Sequence, residues 1–150
     1  MYRAIVRSKV HALFDAINRG DAQPVIDGFA LQFEHGFIGD HALGGSRHSR
    51  PAITAWYQRL YRLMPDITFT LHEIDVHGTP WNTQVVVRWT ETNAGTDNTP
   101  TTADGVHIAH LKWGKMTRLY ILPDTVKLIA TLDRLAAKGV TEAHAPPITD

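Results

Sequence analysis

At Pro65-Asp66 the hydrophobic pattern of this chain changes from the period of helices to that of strands. Before it, Ile5, Val6, Val10, Leu13, Phe14 and Ile17 recur at close to the helical period, and Gly20-Asp21 stops the run. Pro24 suits the first turn of a short helix carrying Val25, Ile26 and Phe29, where its missing N–H costs nothing. Phe33 to Phe37 reads as a brief strand, and Gly39, Gly44 and Gly45 as a loop. After Pro51, the spacing of Ile53, Trp56, Tyr57, Leu60, Leu63 and Met64 predicts a third helix. Beyond Pro65-Asp66 the segments 68–76, 84–92, 105–112 and 115–122 alternate polar residues with β-branched and aromatic ones, the period of strands. Trp113-Gly114 between the last two is a hairpin turn, with Gly114 able to take positive φ. Val126 to Leu135 predicts a closing helix that ends at Gly139, and Ala145-Pro146-Pro147 a frayed tail. Helices followed by an antiparallel meander imply an α+β fold with the helices packed on one sheet face.

Size and charge narrow the function. The 150 residues suit one domain over 1–140 with a tail at 141–150. Fifteen Lys and Arg balance fifteen Asp and Glu, without the basic excess that nucleic-acid binding needs. No apolar run approaches the roughly 18 residues of a membrane span, and Met1 to Val6 lacks a signal-peptide layout, so no membrane partner and a cytoplasmic location are expected. The absence of Cys excludes disulfides, thiolate metal ligands and cysteine nucleophiles. A Gly-x-Ser-x-Gly elbow, a phosphate loop and a dinucleotide fingerprint are all missing. The nine histidines invite a metal reading, but His107 with His110 and His72 with His77 are odd numbers of residues apart, on opposite faces of regular strands. His72-Glu73 with His77 is also one residue too long for the His-Glu-x-x-His motif. Neither metal nor cofactor is expected.

The order of elements, with Phe14-Asp15-Ala16-Ile17-Asn18-Arg19-Gly20-Asp21, Gly39-Asp40-His41-Ala42-Leu43-Gly44-Gly45, Trp113-Gly114-Lys115 and Asp124, resembles the SnoaL-like branch of the nuclear-transport-factor-2-like superfamily over residues 3 to 138. The resemblance implies a cone-shaped, curved antiparallel or mixed sheet packed with three to four helices, the cystatin-like fold. It also implies a cone mouth that admits a small organic ligand, and dimers formed through the sheet's outer face. Fold alone does not fix function, since relatives include cyclases, isomerases, hydrolases, dehydratases and binding domains.

Strand register sorts the candidate residues. A turn at Trp113-Gly114 pairs Lys112 with Lys115 and His107 with Tyr120. Alternation then puts His107, Ala109, Leu111, Met116, Arg118, Tyr120, Leu122 and Asp124 on one face, and Val106, Ile108, His110, Leu119 and Ile121 on the other. If the first face is concave, Asp124 lies among Leu and Tyr, where desolvation raises a carboxyl toward the range of a general base. His107 beside it would stabilise an enolate. Asp124 also suits the N-cap of a helix from Thr125, and His107 a core histidine bonded to a carbonyl.

The resemblance supplies roles for these positions. SnoaL-type polyketide cyclases use an Asp acid/base on the last core strand and a His on its neighbour, which Asp124 and His107 match. The positions of the steroid-isomerase machinery hold Leu13, His35 and His107, and the epoxide-hydrolase Arg-x-Asp is replaced by Trp89-Thr90-Glu91, which argues against both reactions. His35, Phe37 and His41 fall at the expected cone mouth, His35 as a second base or a solvated loop histidine. Trp56, Tyr57, Trp89, Glu91, Tyr120 and Leu122 would line a pocket for a flat, mostly apolar ligand. Two functions stay open: a cofactor-free enzyme that removes a proton next to a carbonyl, leading to cyclisation or isomerisation, and a non-catalytic domain for ligand binding or dimerisation. A homodimer is expected through Val106, Ile108, Leu119 and Ile121, whose exposure would leave an apolar patch of several hundred Å².

Overall fold

A computed structural model describes all 150 residues. The helices are α1 (Tyr2–Asn18), α2 (Gln23–Asp27), α3 (Arg50–Leu63) and α4 (Thr125–Ala137), and a 3₁₀ turn covers Thr141–His144. The strands are β1 (Phe29–Phe37), β2 (Gly45–Arg47), β3 (Thr68–Thr79), β4 (Asn82–Asn93), β5 (Thr101–Lys112) and β6 (Lys115–Pro123), in one sheet of order β2-β1-β6-β5-β4-β3. Only the β1–β6 pair is parallel, so the sheet is mixed. The α+β architecture is the expected one, and helices α1 and α3 bury Val6, Ile17, Ile53, Trp56, Leu60 and Leu63 against the sheet. Ser49 caps α3 by accepting from the Ala52 N–H, with Pro51 in the first turn.

Several local expectations are corrected. Phe29 opens β1 instead of extending α2, which ends two residues earlier. Gly45 to Arg47, read as loop, pairs with the end of β1. The tail is not frayed: Arg47 Nε donates to the Ile148 carbonyl at 2.9 Å, Arg59 Nη1 to that of Pro146 at 2.8 Å, and the His48 N–H to Asp150 Oδ1 at 2.7 Å. The side chain of Arg47 is wholly buried and finds acceptors on Gly44, Gly45 and His35 as well, so the C-terminal residues complete a polar cluster.

The turn at Trp113-Gly114 forms as expected, both residues at positive φ (52° and 78°), as a type I′ hairpin requires. Two residues into β6 the register slips. Leu111 pairs with Met116 but His110 with Arg118, leaving Thr117 as a bulge. One inserted residue moves every following side chain to the other face. His107 therefore pairs with Ile121 and not Tyr120. Leu119 and Ile121 enter the core at 4% exposure each, and Tyr120, Leu122 and Arg118 face outward beside Ile108, Val106 and His110. The expected dimer patch is split by this slip. A second bulge at His72 puts His72 and His77 on the same outer face, where opposite faces were expected; the His72 ring contacts Thr90.

Candidate active site

Between the inner face of the sheet and helices α1 and α3 lies a cavity of about 550 Å³. Most of its wall is apolar, which follows from the inward alternation of Val85, Val87 and Trp89 on β4 and of Ala109 and Leu111 on β5. Lys9, Asp27, Trp113, Gly114 and Lys115 line it where α1 and α2 approach the β5–β6 turn. Deeper in, its polar groups are few: the Tyr57 hydroxyl, the His107 imidazole and the Glu91 carboxyl. A concave apolar site with a few convergent polar groups is the usual form of a small-molecule site.

His107 stands in an aromatic cage. The rings of Phe14, Trp89 and Phe69 have centroids 5.1, 5.5 and 6.2 Å from its own, all edge to face. Trp89 Nε1–H donates to His107 Nδ1 at 2.7 Å, so the ring proton of the neutral imidazole sits on Nε2. Burial from bulk water pulls the imidazole down to about 3, which keeps it neutral at ordinary pH. Nε2 has no partner in the protein and is not sealed off, since His107 retains surface on the cavity. The site therefore offers one neutral N–H to whatever occupies it.

Glu91 lies on the same wall, one inward position beyond Trp89. Both of its oxygens accept from Asn93 Nδ2, at 3.2 and 3.0 Å. Burial raises this carboxyl above its ordinary value, and the negative charge of Asp66 adds to the rise, against the lowering by the Asn93 hydrogen bond. On β4 the inward series runs Val87, Trp89, Glu91, and on β5 it runs His107, Gly105, Ala103. Four residues of strand, about 13 Å at roughly 3.3 Å each, separate the backbone rows of His107 and Glu91, with the Trp89 indole between them.

The remaining candidates divide cleanly. Phe37, Trp56, Tyr57 and Trp89 line the cavity, and Trp56 is further fixed by donating Nε1–H to the Leu43 carbonyl at 2.8 Å. Asp124 does not line it. The Thr117 bulge turns Asp124 away from the inner face, and its carboxylate caps α4 by accepting from the Lys127 N–H at 3.2 Å. The same slip removes Tyr120 and Leu122 from the pocket; Tyr120 lies outside with Arg118 over its ring at 5.0 Å. His35 is neither at a mouth nor in a solvated loop. It is fully buried among Phe29, Trp56 and Tyr57, and its Nδ1 accepts from Arg47 Nη1 at 2.9 Å; desolvation first and then the Arg47 charge hold its pKa well below the ordinary range. His41 spends both ring nitrogens on its own loop, Nε2 on the Ile38 carbonyl and Nδ1 on the Leu43 N–H.

Sequence reasoning missed Phe14 and Phe69 as walls of the His107 cage, and it missed Gly105. A Cβ on Gly105 would sit 2.3 Å from Cη2 of Trp89, so only glycine leaves room for the indole to cross β5. An isolated glycine inside a strand is a signal of such close approach.

Comparison with known proteins agrees with this architecture. Residues 10–119 match the family model of the SnoaL-like domain. A search of curated proteins gave no match. Among solved structures, a nuclear-transport-factor-2-like protein of unknown function from Burkholderia pseudomallei superposes with a TM-score of 0.73 at 18% identity, covering 83% of this chain and 95% of that one. TerC, co-crystallized with polyporic acid, gives 0.67 at 22% identity over 79% of this chain and 91% of its own. A putative SnoaL-like polyketide cyclase from Jannaschia sp. gives 0.68 at 15% identity, over 83% and 88%. At these identities the structures speak to fold, and the family model to membership: the chain belongs to the SnoaL-like family and has its nuclear-transport-factor-2-like α+β fold.

Proposed function

We propose that this protein is a cofactor-free enzyme that moves a proton on an extended, conjugated, mostly apolar ketone, in the manner of a cyclase or isomerase. The observation that carries the reading is the pairing, in one apolar cavity, of a carboxyl with raised pKa (Glu91) and a neutral imidazole N–H without a protein partner (His107). In its ionised form Glu91 takes a proton from carbon, and His107 donates to the oxygen on which the enolate charge gathers. The strand spacing favours a substrate whose acidic C–H is conjugated to its carbonyl across a ring. Returning the proton from Glu91 to a different carbon isomerises the ligand; attack of the enolate carbon on a second carbonyl closes a ring. Asp124, the expected base, serves this reading only as the cap of α4, and His35 as part of the Arg47 cluster.

The likeness to a putative polyketide cyclase and to a protein crystallised with polyporic acid supports this choice of ligand class. The test is a binding and turnover comparison with anthrone, whose acidic C10 methylene lies across its central ring from the carbonyl, and anthracene, which lacks the oxygen. Quenching of tryptophan fluorescence by anthrone well below the concentration needed for anthracene, with accelerated C10 exchange, is the expected result. Equal affinity for the two and no exchange would instead identify a non-catalytic binding domain.

A homodimer remains our proposal, with its face redrawn by the bulge to Val86, Val106, Ile108, Tyr120 and Leu122, all partly exposed on the outer sheet surface. Light scattering at micromolar concentration should give twice the 16.7 kDa chain mass, and a monomer would contradict it. A cytoplasmic location remains our proposal; no helix is long and apolar enough to cross a membrane.

A further inference from the structure

Trp89 is the residue opposite Gly105 in the β4–β5 ladder, and its indole occupies the space a side chain at 105 would need. It is 2% exposed and also packs edge to face against Phe69, with ring centroids 4.9 Å apart. Three constraints therefore fix the indole: the empty position at Gly105, the Phe69 ring, and the 2.7 Å hydrogen bond to His107 Nδ1. An indole N–H can only donate, so the nitrogen that receives it cannot carry a proton.

We propose that Trp89 is a positioning residue that locks His107 as its Nε2–H tautomer, so that the cavity presents a permanent neutral donor selecting ligands with a carbonyl or enolate oxygen. This rests on the proposed acid/base reading of the site and extends it to the group that orients the donor. Without the indole, the imidazole proton could move to Nδ1, and Nε2 would face the ligand as an acceptor, repelling an enolate. The burial that holds His107 neutral adds that the donor does not become a cation over the physiological range. His107 is then an electrophile and never the base, which leaves proton abstraction to Glu91.

The test uses nitrogen NMR on the full chain with labelled His and Trp. In the native protein the His107 nitrogens should show one protonated Nε2 and one unprotonated Nδ1, with a scalar coupling across the hydrogen bond between Trp89 Nε1 and His107 Nδ1. In Trp89→Phe the coupling disappears and the two shifts move toward each other as both tautomers populate. A protonated Nδ1 in the native protein, or no coupling to Trp89, overturns the proposal, and needs no variant that folds. Unchanged His107 shifts in a folded Trp89→Phe overturn it too. If anthrone exchange is observed, Trp89→Phe should slow it about tenfold, yet cost nothing further in a His107→Phe background, because groups acting through one another are not additive. The NMR result stands whether or not the protein turns over any ketone, so failure of the enzymatic reading and failure of this one are separable.

Discussion

Gly105→Ala is the smallest change that should dismantle the site. The added methyl would lie 2.3, 2.6 and 2.8 Å from Cη2, Cζ2 and Cζ3 of Trp89, too close for any real Cβ, and these atoms belong to a rigid ring packed on Phe69. Overpacking of this kind costs about 1–3 kcal/mol. Displacing the indole also breaks its hydrogen bond to His107, for about 1 kcal/mol more. Replacing a glycine reduces unfolded-chain entropy and returns about 0.4–1 kcal/mol. The net is a destabilisation of about 2 kcal/mol, or roughly 4–8 °C in Tm for a domain of this size. Urea unfolding followed by tryptophan fluorescence reads the free energy, and a thermal scan the Tm. A Gly105→Ala variant within about 0.5 kcal/mol of the native protein, the range of an ordinary surface change, would show that the indole does not depend on the empty position.

Three further outcomes follow from the same geometry. His107 titrates at about 3 in the fold against an ordinary 6.5, so the unfolded chain binds the extra proton first; its contribution is complete above pH 6.5 and is lost as pH falls toward 3. Between pH 7 and 5 that amounts to about 2 kcal/mol, and buried His35, also lowered, adds in the same direction; urea midpoints that stay flat over this range would contradict it. Glu91→Gln removes a carboxylate held in an unfavourable apolar wall, so it should raise Tm at pH 8 while cutting turnover about 100-fold or more, and a lowered Tm would count against the assigned burial cost. Arg47→Met should free the Ile148 carbonyl and loosen residues 146–150, seen as faster amide exchange and carboxypeptidase trimming there, with the cavity still able to bind anthrone; unchanged protection of the tail would show that Arg47 does not hold it.

The long periodic segments were legible because side-chain alternation and helical spacing are local. The runs of Ile53 to Met64 and of Val126 to Leu135 gave α3 and α4, and Trp113-Gly114 gave the turn. What escaped was anything decided by a single residue or by distant partners. The bulge at Thr117 carries no mark in composition, yet it exchanges Tyr120 and Leu122 for Leu119 and Ile121 on the inner face and takes Asp124 out of the cavity. The parallel pairing of β1 with β6 joins residues some 85 positions apart, a link no local period reveals. The tail was misread because its anchor, Arg47, lies about a hundred residues away. His107 and Trp89 were each visible as site residues, but their hydrogen bond depends on Gly105, whose meaning is spatial.

Exchange of the C10 protons of anthrone in D₂O, followed by proton NMR, reads proton abstraction by Glu91 itself. The native protein should accelerate exchange over buffer, and Glu91→Gln, still binding anthrone, should lose about 100-fold or more of that rate, the usual weight of a general base. Native protein that binds anthrone without accelerating exchange, or a Glu91→Gln variant as fast as the native one, would contradict it.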